Sequence, residues 1–442
     1  MAQIFPFRAL HYSPQLVPEL SRTVTQPYDK ITPEMQERYY GLSPYNLARI
    51  IRIRDESGQD SIYERARNTF HEWEEKGVLV SEREPAIYPY HQEYEAPGAV
   101  GRGKVRRGFI GLCRLEDYAA RVVYRHEETL SAPKADRLEL LRATRAHFGQ
   151  IFFLYSDPEA TIERLLEPAT RERAWEHLAD EYETRHTVWK AADPDLLEAV
   201  SEAMRERKLV IADGHHRYET ALAYGDERRR GGEADDRAEY VMATFVRMET
   251  DGLTILPTHR ILHSLPGFAW AHFRRQAERF FDWEELRVSG SAEELAQNFI
   301  KRLGQGAGGR TVMAAYRAPN QAALLRPRKD WDIERALPDV PDELRRVDVV
   351  ILHRLLLERA LRIPPQAVKE EKNITYMREA SSALRAVDSG KAQICFLVNP
   401  TPIKTVWQAA LAGHALPQKS TDFYPKLLSG LAIYWLDNPL GL

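Results

Sequence analysis

Apolar and polar positions along this chain follow two periods, one near 3.6 and one of 2, and the switching between them predicts a mixed α and β protein. Residues 61–76 predict a helix: Ile62, Ala66, Phe70 and Trp73 fall on one face, and Gly77 supplies the stop. Residues 86–94 and 105–115 predict a strand hairpin, joined by a Gly- and Arg-rich loop over 96–107. Such a loop can hold a phosphate or be a solvated tip. Short strands are expected at 50–53 and 121–124, and a helix at 135–148 with Leu138, Leu141 and Ala143 inward. Ile151-Phe152-Phe153-Leu154-Tyr155 predicts a buried strand, ended by Asp157-Pro158. Helices are expected across 158–184 and 193–208. The apolar run Leu209-Val210-Ile211-Ala212 breaks at Asp213-Gly214, a helix follows, and 240–245 predicts another strand.

From 265 to 340 the pattern becomes that of a separate α+β unit. Its helix opens on Ser291 and Glu294, spaced as a capping box, and ends at Leu303. The glycine-rich stretch 304–309 follows a helix and leads into a strand at 311–316. A dinucleotide loop has the opposite order, so this stretch predicts a helix end and a turn. No GxxxxGK[ST] string is present, which excludes a P-loop, and His126-Glu127 does not continue into HExxH.

Composition narrows the classes further. A chain of 442 residues, 43% hydrophobic and 29% charged, is globular material for two or three packed units. With 62 basic against 65 acidic residues, the net charge of -3 gives no reason to expect nucleic acid or an anionic membrane as partner. The two cysteines, Cys113 and Cys395, fit no disulfide framework and no zinc spacing, so a reducing cytoplasm is expected. The first residues lack the basic and apolar regions of a signal peptide, and no apolar run approaches the roughly 18 residues of a membrane span.

The densest chemistry is Asp213-Gly214-His215-His216-Arg217, directly after a buried strand. A helix N-terminus offers unpaired N–H groups and partial positive charge, which disfavours cations. Two imidazoles and a guanidinium there make sense when an anion occupies the turn. Gly214 allows close backbone approach. Asp213 is the expected cap, and it could instead hold a metal or orient a histidine. The reading without function has Asp213 capping, His215 solvated and Arg217 paired with a surface acid. A second group, His126, Glu127, Lys134, Asp136 and Arg137, suits metal or phosphate, or is a solvated loop. Pro27-Tyr28-Asp29 sets a carboxylate on a stiff turn, a general-base candidate or a plain turn. Lys419, Ser420 and Lys426 lie in a proline-bounded stretch suited to an anionic substrate, or to loop hydrogen bonding.

Five strings come in order: Pro27-Tyr28-Asp29; His126-Glu127 with Asp136-Arg137; Asp213-Gly214-His215-His216-Arg217; Leu256-Pro257-Thr258-His259-Arg260; and Pro417-Gln418-Lys419-Ser420-Thr421. With them the chain resembles, over essentially its whole length, the prokaryotic family called domain of unknown function 1015. That family looks like a branch of the ParB/sulfiredoxin-like superfamily, which includes free serine kinases. The resemblance implies an α+β fold, with a ParB/sulfiredoxin-like domain over 1–262 carrying helical insertions. A C-terminal α+β domain over 263–442 would contribute the Lys419 loop. Gly214 and Arg217 match the superfamily's phosphate-binding Gly…Arg motif. His215 stands where sulfiredoxin has its cysteine, and no basic recognition helix of the ParB kind is present, which leaves the kinase branch.

The resemblance therefore implies phosphotransfer from ATP or ADP to the hydroxyl of a small amino acid, L-serine first. Asp213, Gly214, His215, His216 and Arg217 would bind phosphate, and His126, Arg137, Lys419, Ser420 and Lys426 the substrate. Mg²⁺ or Mn²⁺ would sit on Glu127 or Asp213. The proton acceptor would be Asp29, with His216 and Glu127 as alternatives. A nucleotide-gated regulatory module and a nucleotide or phosphoester hydrolase are the other function classes.

Overall fold

The computed structural model describes residues 1–54, 61–98, 101–128, 131–232, 236–306, 311–330 and 332–438. The chain divides into two units. One comprises Met1–Arg125, Thr129–Thr254 and Phe423–Leu442, the other His126–Glu128 and Ile255–Asp422. The expected boundary at 262 moves to 254, and the chain after 422 returns to the first unit. It does so because Tyr434–Trp435 pairs with Ala146–His147, while Thr25 and Ser429 form an isolated bridge.

Among the described residues the first unit is built on a nine-stranded mixed sheet. Its order is Val123–Tyr124, Leu209–Asp213, Ile151–Tyr155, Tyr240–Arg247, Gly103–Arg114, Tyr88–Glu95, Arg185–Val188 and Glu176–Ala179, and Ile4–Phe5 adds to Gly103–Arg114. Strand alternation sorts its two faces. Phe109, Phe153 and Phe245 stack on one another and pack with Ile162, Val200, Met204 and Tyr218 from three helices, Thr161–Leu166, Pro194–Arg205 and His215–Arg230. Tyr90, Gln92, Arg106 and Phe152 are also buried. Phe423 and Tyr424 pack their rings on Phe152 and Tyr94. The second unit is a six-stranded antiparallel sheet, ordered Phe281–Arg287, Gln321–Pro327, Met313–Arg317, Ile394–Leu397, His259–Leu262 and Ile374–Met377. Alternate residues of these strands enter two cores. One contains Phe273, Leu352 and Leu356, the other Phe299 and Leu384.

The helix at Ile62–Glu75, the hairpin Tyr88–Glu95 with Gly103–Arg114, and the strand Ile151–Tyr155 form as the periodicity predicts. Three segments differ. Residues 48–51 are a helical turn, not a strand, because the Asn46 side chain accepts from Ala48 N at 3.0 Å and starts it. A short, wholly apolar run does not distinguish the two. The helix expected at 135–148 is Ser131–Thr144, ended by Arg145 in the left-handed region. Residues 158–184 are helical only to 171, and the chain then forms the hairpin Glu176–Ala179 with Arg185–Val188. Asp180 fixes its turn by accepting from Tyr182 N and Thr184 N. In the second unit, Ser291 and Glu294 form the expected capping box, but the helix runs on to Gly306, and most of the glycine turn after it lies outside the described residues.

The Ile62–Glu75 helix depends on its first turn, where Ser61 and Glu64 exchange side-chain and backbone bonds. Ser61→Ala should destabilise the protein by about 0.5–2 kcal/mol. The expected readout is a lower urea midpoint, with amide exchange faster across that turn than in the helix centre.

Candidate functional site

The buried strand Leu209–Asp213 carries an irregularity at its end. Ile211 faces Phe153 and Asp213 faces Phe152, so Ala212 is the extra residue. A bulge of this kind re-aims the following side chain. It sets Asp213 in register with Phe152, over whose ring the Arg106 guanidinium lies at 4.7 Å. Gly214 then takes φ 95° and is itself the helix cap, with no side-chain cap bond. The expectation that Asp213 caps the helix is therefore corrected: the left-handed residue takes the cap position, and the carboxylate serves another purpose.

That purpose is charge. Lys426 Nζ donates to Asp213 Oδ2 at 2.9 Å, and Arg217 Nη2 lies 3.6 Å from Oδ1. Burial works to raise the pKa of Asp213. Lys426, Arg217 and Lys30 outweigh it and hold the carboxyl far below the usual range. Arg217 folds back over its own turn. Its Nη1 donates to Gln150 O at 2.5 Å, and a Cβ on Gly214 would meet Nη2 at 3.0 Å. A Cβ on Gly149 would meet Nη1 at 3.1 Å, so two glycines make the slot in which the guanidinium lies.

Arg106 adds a further cation that sequence reasoning missed. It is 1% exposed, donates to Gln92 Oε1 and Pro425 O, and leaves Nη1 without a partner among the described residues. Burial lowers its pKa to about 10, so it stays charged at neutral pH, and Asp213 is among the groups that favour the charge. The sequence places it on a predicted strand and gives no sign of its burial.

Beside this turn lies a cavity lined in part by Tyr28, Arg137, Leu141, Phe148, Arg217 and Thr220. The Arg137 guanidinium lies 4.2 Å over the Tyr28 ring and donates to Ile51 O at 3.0 Å. Burial first, then Asp29, pushes the Tyr28 hydroxyl up to about 12 against the opposing pull of Arg217 and Arg137. The buried Thr220 hydroxyl has no partner among the described residues. Asp29 is exposed on the short turn Tyr28–Lys30. His215 is buried and His216 half-buried at the first two helix positions, so His215 is not solvated.

The remaining expected residues divide between the units. Lys426 reaches Asp213 within the first unit. His126, Glu127, Lys419 and Ser420 belong to the second. There His126 is buried against the Thr421 hydroxyl at 2.8 Å, and Glu127 Oε1 accepts from Thr421 N at 3.1 Å. Ser420 is buried with its hydroxyl donating to Pro417 O, while Lys419 is exposed with φ 57°. Arg260, fully buried, donates to Lys419 O at 3.2 Å and to Thr258 O, and so holds this loop. Among the described residues no group of three or more His, Cys, Asp or Glu side chains is arranged to hold a metal ion. None of the described helices is long and apolar enough to cross a membrane.

A buried strand, a left-handed glycine and a cation-rich helix start form a strand–turn–helix within a mixed α and β protein. The family described as "Protein of unknown function (DUF1015)" matches residues 4–350, and this chain belongs to it. The match ends before Pro417–Thr421, so the last of the five sequence strings lies beyond it. None of the curated proteins matches the chain. Among solved structures it is similar to a free serine kinase in complex with AMP, at 11% identity and TM-score 0.34, covering 70% of this chain and 89% of that one. It is also similar to SbnI with a C-terminal truncation from Staphylococcus aureus, at 9% identity and TM-score 0.35, covering 73% and 87%. A conserved hypothetical protein from Pyrococcus furiosus aligns at 10% identity and TM-score 0.33, covering 72% and 93%. Likeness at this level fixes no activity for this chain, and the functional reading rests on the site.

The depressed pKa of Asp213 has a consequence for stability. A carboxyl whose folded pKa lies below its unfolded value of about 3.9 contributes stability above that value. The contribution is lost as pH falls through the folded pKa. Asp213→Asn should therefore be less stable than the wild type at neutral pH, with the gap narrowing below about pH 4. Urea midpoints measured across pH 3 to 7 check this.

Proposed function

We propose that the first unit is the nucleotide-binding half of a small-molecule phosphotransferase. It would pass a phosphoryl group from ATP or ADP to the hydroxyl of a small amino acid, free L-serine first. The observation that carries this is the gathering of cations at the turn: Lys426, Arg217 and Lys30 act on Asp213, and Arg106 acts with them, at a helix start capped only by glycine. A helix start and the guanidinium and ammonium groups gathered beside it suit a polyphosphate. The adjoining cavity, walled in part by Leu141 and Phe148, measures about 70 Å³ and would have to widen to take the apolar part of a nucleotide. The amino-acid acceptor follows from the sequence resemblance, as does a ParB/sulfiredoxin-like core.

In this reading the acceptor oxygen attacks the terminal phosphorus, the bond from that phosphorus to the nucleotide's bridging oxygen breaks, and the hydroxyl proton passes to Asp29. Arg217, the amides following Gly214, His215 and His216 hold phosphate oxygens, and Arg137 helps shape the substrate side. In phosphoryl transfer the protein's work is chiefly positioning and charge neutralisation. Mg²⁺ or Mn²⁺ would add neutralisation between phosphate oxygens. A single carboxylate such as Asp213 fits a metal held mainly by phosphate and water, not by a protein cage.

Arg217→Ala should fold and lose nucleotide affinity by at least the roughly 1.5–3 kcal/mol of a charge-assisted pair, read by calorimetry with ATP and ADP. Asp29→Asn should keep nucleotide affinity within a few-fold and cut turnover by about 10²–10⁴. Mass spectrometry of the protein incubated with nucleotide and an amino-acid mixture gives the assay. Phosphate released with no phosphorylated acceptor would favour hydrolysis, and nucleotide binding with no product at all would favour a regulatory module.

A further inference from the structure

The second unit holds a cavity of about 440 Å³, bordered by Val347 of one of its apolar cores. Its walls come from three places in the sequence: Thr311, the stretch 343–348, and the loop 399–405. That loop is stiff for a stated reason. Prolines flank Thr401, and the Thr401 hydroxyl donates to Ser420 O at 2.9 Å. The loop leads into the helix Ile403–Leu411, which has no side-chain cap and no acidic residue in its first turn.

Charged residues of both signs line this cavity: Glu343, Arg346 and Asp348. Asp348 opens the helix Asp348–Ile351, which continues as the π-helical Leu352–Ala360. Burial pushes its carboxyl up to about 6, against the smaller opposing influence of the Thr311 and Asn399 side chains. It is therefore mostly ionised at neutral pH, and it forms no ion pair among the described residues. Arg346 stands two residues earlier on the same wall, exposed. Its backbone carbonyl accepts from Thr311, but its guanidinium has no ion pair among the described residues, with Asp348 or with any other acid. Glu343, the other acid of the lining, is engaged with His414 at 3.7 Å. The cavity wall thus carries an acidic and a basic residue that are not paired with each other. A simple anion would meet Asp348 unfavourably, and a simple cation would meet Arg346 unfavourably.

We propose that this cavity binds a small zwitterion of the α-amino-acid type, its ammonium on Asp348 and its carboxylate on Arg346. The volume lies within the usual range of small-molecule sites, roughly 300–1,000 Å³, and leaves room for a side chain beside the Thr401 and Thr405 wall. The site does not depend on phosphotransfer at Asp213. It gives the second unit a binding role of its own, that of sensing or storing an amino acid.

The test uses the full-length chain, titrated calorimetrically with each of the common L-amino acids in the absence of nucleotide. At least one should bind, and Asp348→Asn and Arg346→Ala should each weaken it by about ten-fold or more, as expected for loss of one charged contact. Arg346 is exposed, so its variant should fold even if the Asp348 change disturbs the helix start. The decarboxylated amine and the deaminated hydroxy acid of the same side chain should both fail to bind. Arg217→Ala should leave this binding intact. The proposal is overturned if no amino acid binds at millimolar concentration, if both Asp348→Asn and Arg346→Ala leave affinity unchanged, or if Arg217→Ala alone abolishes it. Persistence of the binding in a protein that phosphorylates nothing would count against the phosphotransferase reading and not against this one.

Discussion

The first unit's site depends on one unequal electrostatic balance. Asp213 ends a buried strand, and three cations act to keep it ionised, with a fourth, Arg106, acting on it from within the sheet. Two of these cations are also tied to the protein itself, Arg217 to Gln150 O and Arg106 to Gln92 and Pro425 O. Those ties fix the donors before any ligand arrives, which lowers the cost of organising them on binding. The glycines follow from the same need. A side chain at 149 or 214 would crowd the guanidinium from either side.

Much of this was legible from local pattern. A run of apolar residues broken by Asp-Gly and followed by His-His-Arg predicts a strand, a turn and a helix start, and those elements stand where expected. The sequence misplaced the cap, because the bulge at Ala212 has no composition signal and Asp is the commoner capping residue. It did not reveal Arg106, whose importance comes from burial among residues that are distant in sequence. The 158–184 region was misread because its turn depends on Asp180 accepting two backbone bonds, a geometry that periodicity does not report. The cavity around Asp348 has no motif at all. Its three walls are separated in the chain and meet only through the packing of the second unit.

The second unit shows a related economy. Arg260 is buried with its donors on backbone carbonyls of 258, 418 and 419, so a full positive charge serves as a clamp on irregular chain. The same buried guanidinium lies near the ring of Tyr376 and the imidazole of His353. Burial and Arg260 lower the His353 pKa to about 3, which keeps that imidazole neutral through the physiological range. A charge so placed is costly to leave unpaired, and the loop it holds is correspondingly hard to rearrange.

The return of the chain to the first unit after residue 422 bears on how the protein comes into being. A ribosome delivers Asp213 and Arg217 long before Lys426, with the whole second unit synthesised between them. Until that late lysine emerges, the strand end carries its carboxylate without its nearest counter-ion, and Phe152 lacks the ring that covers it. The second unit can close on itself during the wait, since nearly all its residues form one continuous stretch. Completion of the turn around Asp213 is thereby tied to arrival of residues 423–438. A nascent chain stalled before that point would hold a finished second unit and an unfinished turn.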